Sequence, residues 1–268
     1  MSLHLFLSHL RAGRWGLVAW SGLMGLYALL VFYLYPTMKA AGYEQMFENL
    51  PESIRALAGL QDLPEGVGFS VETFVALEFM GQWAAFVAIY AVFAAGGIVA
   101  REVERGTMDL ILAQPLSRTR LVLSKFGVFL AGLGIIALGS FLGTLAGMAM
   151  IEEKIGLGNA ALALFQGGSL VLAVGSYSLL FSCLTLDPRR TLLLSGTITA
   201  AFYILNFTAP ALKSFSWVGR LSLFHYFAPE SILRTGQPDW AGLGIFWGLA
   251  LLCLALSLAV FRRRDIVA

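Results

Sequence analysis

From Trp15 to Tyr35 the chain runs for 21 residues without a charged side chain. As a helix this run is roughly 31 Å long, enough to cross the hydrocarbon of a bilayer. In that environment only a helix or a closed barrel can pair its own backbone polar groups. Stretches at about 74–100, 125–151, 158–186, 191–212 and 241–261 read the same way. The predicted fold class is an all-α integral membrane protein, with six transmembrane helices forming one transmembrane domain over residues 1–268. Composition agrees, since 58% of the 268 residues are apolar and only 13% are charged, a balance foreign to soluble domains. Arg11 and Arg14 precede the first run as they would in a signal peptide. That run is too long for one, however, and no small-residue cleavage site follows Tyr35-Pro36, so the segment is expected to stay attached.

The segments between the spans carry their own patterns. Leu3, Phe6, Leu7 and Leu10 share one helical face, which predicts an N-terminal elbow helix lying on the membrane surface. Between Pro36 and Thr73, Tyr43, Met46, Phe47, Leu50, Ile54 and Leu57 recur near helical spacing. They predict one or two interfacial helices, which either roof a transport path or float among headgroups. Residues 213–240 are rich in aromatics and broken by Pro229, Gly236 and Pro238, so re-entrant or interfacial helices are expected there too. With the N-terminus inside, twelve basic residues face the cytoplasm: Arg11, Arg14, Arg101, Arg105, Arg118, Arg120, Lys125, Arg189, Arg190, Arg262, Arg263 and Arg264. Lys39, Arg55, Lys154, Lys213, Arg220 and Arg234 fall outside. The positive-inside rule therefore places both termini in the cytoplasm.

One long run outside the chain ends is dense in charge. Residues 100–126 hold Arg101, Glu102, Glu104, Arg105, Asp109, Arg118, Arg120 and Lys125 between the second and third spans. Thr107 can cap a short helix from Met108 to Ala113, Asp109 suits its first turn, and Pro115 stops it; Ser117 can cap the next helix. Ordinary solvated pairing of Arg101 with Glu104, or Glu102 with Arg105, is the plain alternative. The run Glu104-Arg105-Gly106-Thr107, with Asp109-Leu110-Ile111-Leu112, Gln114-Pro115-Leu116-Ser117-Arg118 and Lys125, resembles the loop signature of type-2 ABC export permeases. Met108-Asp109 departs from the Leu-Glu common in that family.

The resemblance covers about 25 residues closely and the six-span layout loosely. It implies that this loop abuts a separate ABC ATPase subunit, which would carry the ATP and Mg, so that this chain binds no cofactor itself. It also implies a second permease subunit, identical or homologous, a bacterial cytoplasmic membrane and transport outward. The short connection Asp187-Pro188-Arg189-Arg190, in which Asp187 can cap a helix starting at Pro188, is a second docking candidate.

Three polar side chains fall within spans and are candidates for the pathway. Glu78 and Gln82 lie one turn apart; Glu78 is either a pathway carboxylate or a group that snorkels to headgroup water from within about 8 Å of the helix end. Asn206 either bonds a neighbouring helix or meets substrate. Gly139, Gly143 and Gly147 form a four-residue stripe that lets another helix approach closely, with packing inside the subunit as the plain reading.

Other chemistry finds little support in the sequence. No G-x-x-x-x-G-K-[ST] occurs, so the chain is not itself the ATPase. His4, His9 and His225 are too few and too scattered for a metal site. Cys183 and Cys253 both sit in apolar spans and imply no disulfide framework. A membrane enzyme would need a nucleophile with a base, a metal set or paired carboxylates, and a secondary carrier would need coupling-ion carboxylates near the midplane. A net charge of +2, without a basic patch, argues against a nucleic-acid partner. The expected function is a non-catalytic permease subunit that exports an amphipathic, drug-like or lipid-like compound.

Overall fold

The computed structural model describes residues 3–42, 70–106, 117–209 and 216–263. The described residues are helical throughout, with no strand among them. The chain opens with α1 (Leu3–Ala12), followed by the six long helices α2 (Arg14–Ala40), α3 (Val71–Glu104), α4 (Arg118–Met148), α5 (Leu157–Thr185), α6 (Pro188–Thr208) and α8 (Trp240–Arg263). Between α6 and α8 lie two 3₁₀ turns, Ser216–Leu221 and Leu223–Tyr226, and the short helix α7 (Pro229–Thr235). These match the expected elbow and the aromatic segment before the last span. The interfacial helices expected between Tyr43 and Gly59 lie outside the described residues.

All six long helices are long and apolar enough to cross a membrane. They alternate in direction, so Arg14, Arg101, Arg118, Arg189 and Arg263 gather at one end of the bundle, called here the basic end. The turn at 149–156 and α7 lie at the far end.

α5 is the axis of the bundle and packs against α3, α4, α6, α7 and α8. Most of it can be buried because several of its hydroxyls bond within the helix. The hydroxyls of Ser169, Ser176, Ser178 and Thr185 donate to the carbonyls of Phe165, Leu172, Val174 and Phe181, one turn back, at 2.7–3.0 Å. Burial therefore leaves those donors paired where water is absent. Its glycines admit bulky neighbours: a Cβ on Gly175 would meet the Phe129 ring, and one on Gly167 would meet Trp83 and Phe227 at 3.1 Å.

The glycine stripe of α4 is spent inside the subunit. A Cβ on Gly143 would meet the backbone of Gly25 in α2, with Gly25 Cα 2.6 Å away, and one on Gly25 would meet the Gly139 carbonyl at 2.7 Å. Gly147 lies against Phe32 in the same seam. Ser21 donates to the Ile135 carbonyl at 3.1 Å across this contact. Small residues here let two backbones touch, which is where helix association in a bilayer gains most from packing.

At the far end Glu153 accepts from both Lys39 and the Tyr35 hydroxyl, tying the end of α2 to the turn after α4. The bond from Lys39, and then that from Tyr35, hold the Glu153 carboxyl below its ordinary range. A carboxylate depressed in the folded state contributes stability above its unfolded pKa and loses that contribution as pH falls through the folded value. Glu153 is 40% exposed, so screening keeps the effect to about 1 kcal/mol or less. The unfolding midpoint of Glu153→Gln should lie slightly below wild type near neutrality and converge with it in acid.

Candidate functional site

α3 ends at Glu104 and turns at Arg105 and Gly106. Gly106 has φ +65°, and its N–H reaches the Val103 carbonyl at 3.0 Å. This is a left-handed helix terminus, which a side chain would strain, so the glycine of the sequence pattern has a backbone reason. Glu104, Arg105 and Gly106 are exposed. Thr107, Asp109, Leu110 and Pro115, with the short helix expected at Met108–Ala113, lie outside the described residues.

The chain resumes at Ser117, whose hydroxyl accepts from the Arg120 N–H at 3.3 Å and so caps α4 as its position predicts. The next residue, Arg118, donates to the Phe261 carbonyl at 3.4 Å, with its guanidinium 6.0 Å from the Phe261 ring. That contact joins the start of α4 to the end of α8.

Two charges behave differently from the solvated pairing that helix spacing suggests. Arg101 folds back over Gly97 and donates to the Phe93 carbonyl at 3.1 Å, away from the loop. Glu102 pairs with Lys125, the residue at which the third span is expected to start. That helix begins at Arg118, and Lys125 lies seven residues inside it, 8% exposed, paired with Glu102, which is 17% exposed. Its ammonium also donates to the Ile98 carbonyl at 3.5 Å. The pair bridges α3 and α4 across the base of the loop. A positive charge can be buried there because a carboxylate and a carbonyl replace its hydration.

The second connection meets the same elements. Asp187 accepts from the N–H groups of Arg189 and Arg190 at 2.8 and 3.2 Å, with Pro188 at the first helical position, capping α6. Arg189 and Arg190 are exposed. One turn into α6, Thr191 bonds Thr185 at 2.7 Å and packs where Gly96 of α3 has no side chain. Beside it, Ser182 of α5 accepts from the Val99 and Ala100 N–H groups at 3.2 and 2.9 Å. The last turns of α3 are thus tied to α4 by an ion pair and to α5 by hydrogen bonds, with α6 packed alongside.

A polar seam runs from this end toward the far end. The buried residues of α6 are Thr191, Ser195 and Thr199, all hydroxyl-bearing and four apart. Thr199 bonds Tyr177, and Tyr203, one turn on, donates to Gln82 of α3 at 3.0 Å. Ser195 Oγ has no hydrogen-bond partner among the described residues. Glu78 sits in a π-helical turn, Ala76–Met80, with its side chain exposed and its carbonyl accepting from Tyr27 of α2. π turns inside α-helices recur at functional sites. The Gln82 side chain is therefore held by a neighbouring helix while the Glu78 carboxylate is exposed, and Asn206 is half-buried and joins none of these bonds. Sequence reading missed Tyr27, Tyr177, Tyr203 and the hydroxyl stripe. The four-residue spacing 191, 195, 199, 203 was its one visible signal.

Comparison with known families decides what this bundle is. A family model described as ABC-2 family transporter protein matches residues 21–266. The chain belongs to that family. It is a type-2 ABC transporter permease, the membrane component of a transporter that works with an ABC ATPase, and a multi-pass membrane protein. A search of curated proteins finds no match. In the permease, those expected docking residues that are described, Arg101, Glu102, Glu104, Arg105, Gly106, Ser117, Arg118, Asp187, Arg189 and Arg190, fall at the basic end of the bundle.

Proposed function

We propose that the permease is an exporter subunit whose basic end docks a separate ATPase, with ATP and Mg held on that partner. Two permease subunits, identical or homologous, would pair with two ATPases in a bacterial cytoplasmic membrane, with both termini on the ATPase side. The observation that carries this reading is the geometry at Gly106: exposed Glu104 and Arg105 on a left-handed helix end, backed within one turn by the buried Glu102–Lys125 pair. A push on that end is not lost in side-chain motion, because the pair and the Ser182 bonds make α3, α4 and α5 respond together. Closure of the ATPases would tilt α4 and shift the permease between inward and outward openings. Asp187, Arg189 and Arg190 offer a second contact. Glu78, Gln82 and Asn206 are the candidate path residues, and spans with so few fixed charges suit an amphipathic, drug-like or lipid-like cargo.

The test is co-purification with the ATPase and substrate-stimulated hydrolysis. Gly106→Val should abolish coupling while leaving insertion intact, since it redirects the loop without touching the spans. Charge reversal at Glu104 or Arg105 should weaken docking several-fold, more at low salt than at high salt. The same reversal at Arg220, exposed at the far end, should do neither. If both loop variants bind and transport like wild type, the docking reading fails. In the same assay, Glu78→Gln distinguishes a pathway carboxylate, which would lose transport, from a snorkelling one, which would not.

A further inference from the structure

Between α4, α5 and α8 lies a groove of about 450 Å³, open to the side of the bundle. Leu130, Ala137, Leu138 and Phe141 of α4 form one wall, Phe165 and Leu172 of α5 the floor, and Trp247 of α8 the other wall. We propose that this groove binds one acyl chain of a bilayer lipid.

Depth is the first argument. Trp247 lies seven residues into α8, roughly 10 Å from its far end by helical rise, and α4 carries no charge from Phe126 to Met150. The groove therefore opens within the hydrocarbon layer, where lipid chains are the surrounding solvent.

Chemistry is the second argument. The polar groups of the lining are already paired with each other: the Trp247 indole N–H donates to Ser169 Oγ at 3.1 Å, and Ser169 donates to the Phe165 carbonyl at 2.9 Å. A polar ligand would find no free partner, so the surface selects hydrocarbon. Size is the third. The volume falls among small-ligand sites, which run about 300–1,000 Å³.

Gly134 and Gly168 keep the groove open. Each contributes to its lining, and nothing lies within 4 Å of a Cβ built on either. A Cβ at either position would thus enter the groove without displacing protein atoms, and a leucine there is a better helix former than glycine.

That gives the test. Detergent-purified permease is titrated with phosphatidylglycerol brominated along its acyl chains, which quenches nearby indoles. The difference between wild type and Trp247→Phe isolates the Trp247 signal. The expected result is a saturable phase complete near one lipid per permease, followed by shallow quenching from the general lipid annulus. Gly134→Leu and Gly168→Leu should each raise the lipid needed for half-quenching at least tenfold and leave the unfolding midpoint no lower than wild type. A wild-type titration with no saturable phase overturns the proposal. So does a saturable phase that survives both substitutions, or a filled groove that dissociates a dimer while the phase persists, since a second copy would then be the occupant.

Discussion

Lys125→Ala should destabilise the permease by about 3–5 kcal/mol, the range for leaving one member of a buried ion pair without its partner. Glu102 would remain at the α3–α4 contact, 17% exposed, with the ammonium that replaced its hydration gone. The measurement is denaturant or thermal unfolding in detergent, beside the double variant Glu102→Leu with Lys125→Met. The double variant should recover most of the loss, because two apolar side chains of similar size leave no buried charge. If the pair also transmits motion, the double variant will be stable and still defective in ATPase-coupled transport. A single variant as stable as wild type would show that Lys125 reaches water and that the pair is ornamental.

Gly143→Leu should be nearly as damaging, for a steric reason. Overpacking a contact costs about 1–3 kcal/mol and more where neighbours cannot yield; here the neighbour is the backbone of Gly25, not a side chain that could rotate away. The loss should exceed about 3 kcal/mol, with α2 separating from α4 before the α3–α5 contact is lost. Disulfide trapping between cysteines placed on α2 and α4 across that seam, where Ser21 donates to the Ile135 backbone carbonyl, reports the separation directly. Gly134→Leu, on the same helix but facing the groove, is the internal control and should cost nothing. Equal behaviour of the two variants would mean that the α2–α4 seam is looser than the structure shows.

Much of this molecule was legible because a bilayer leaves a chain few options. Uncharged runs of the right length must be helices, since unpaired backbone groups cannot be hydrated there, and so the six spans, their order and the elbow could be read from residue type alone. Local caps were legible for a similar reason. Ser117 and Asp187 act on N–H groups two or three residues away, and Gly106 solves a backbone problem within its own turn, so none of them needs tertiary contacts to be recognised.

The partners of side chains were not legible, because they are set by which helices become neighbours. Glu102 looked like one half of a solvated pair with Arg105; only the approach of α3 to α4 paired it with Lys125. Arg101 looked like a docking charge, and packing at Gly97 turned it back along its own helix. The glycines of α4 look alike in sequence, yet Gly143 touches a backbone and Gly134 faces open space, a distinction made by the position of α2 and α8 around them. In hydrocarbon the apolar effect that orders a soluble core is weak, so nearness, small residues and paired hydroxyls decide the arrangement. The sequence by itself determined that this chain has six helices long and apolar enough to cross a membrane, and which side chains cap α4 and α6. Tertiary structure alone decided which charges are buried, which hydroxyls pair along α6 and where a groove stays open at the side of the bundle.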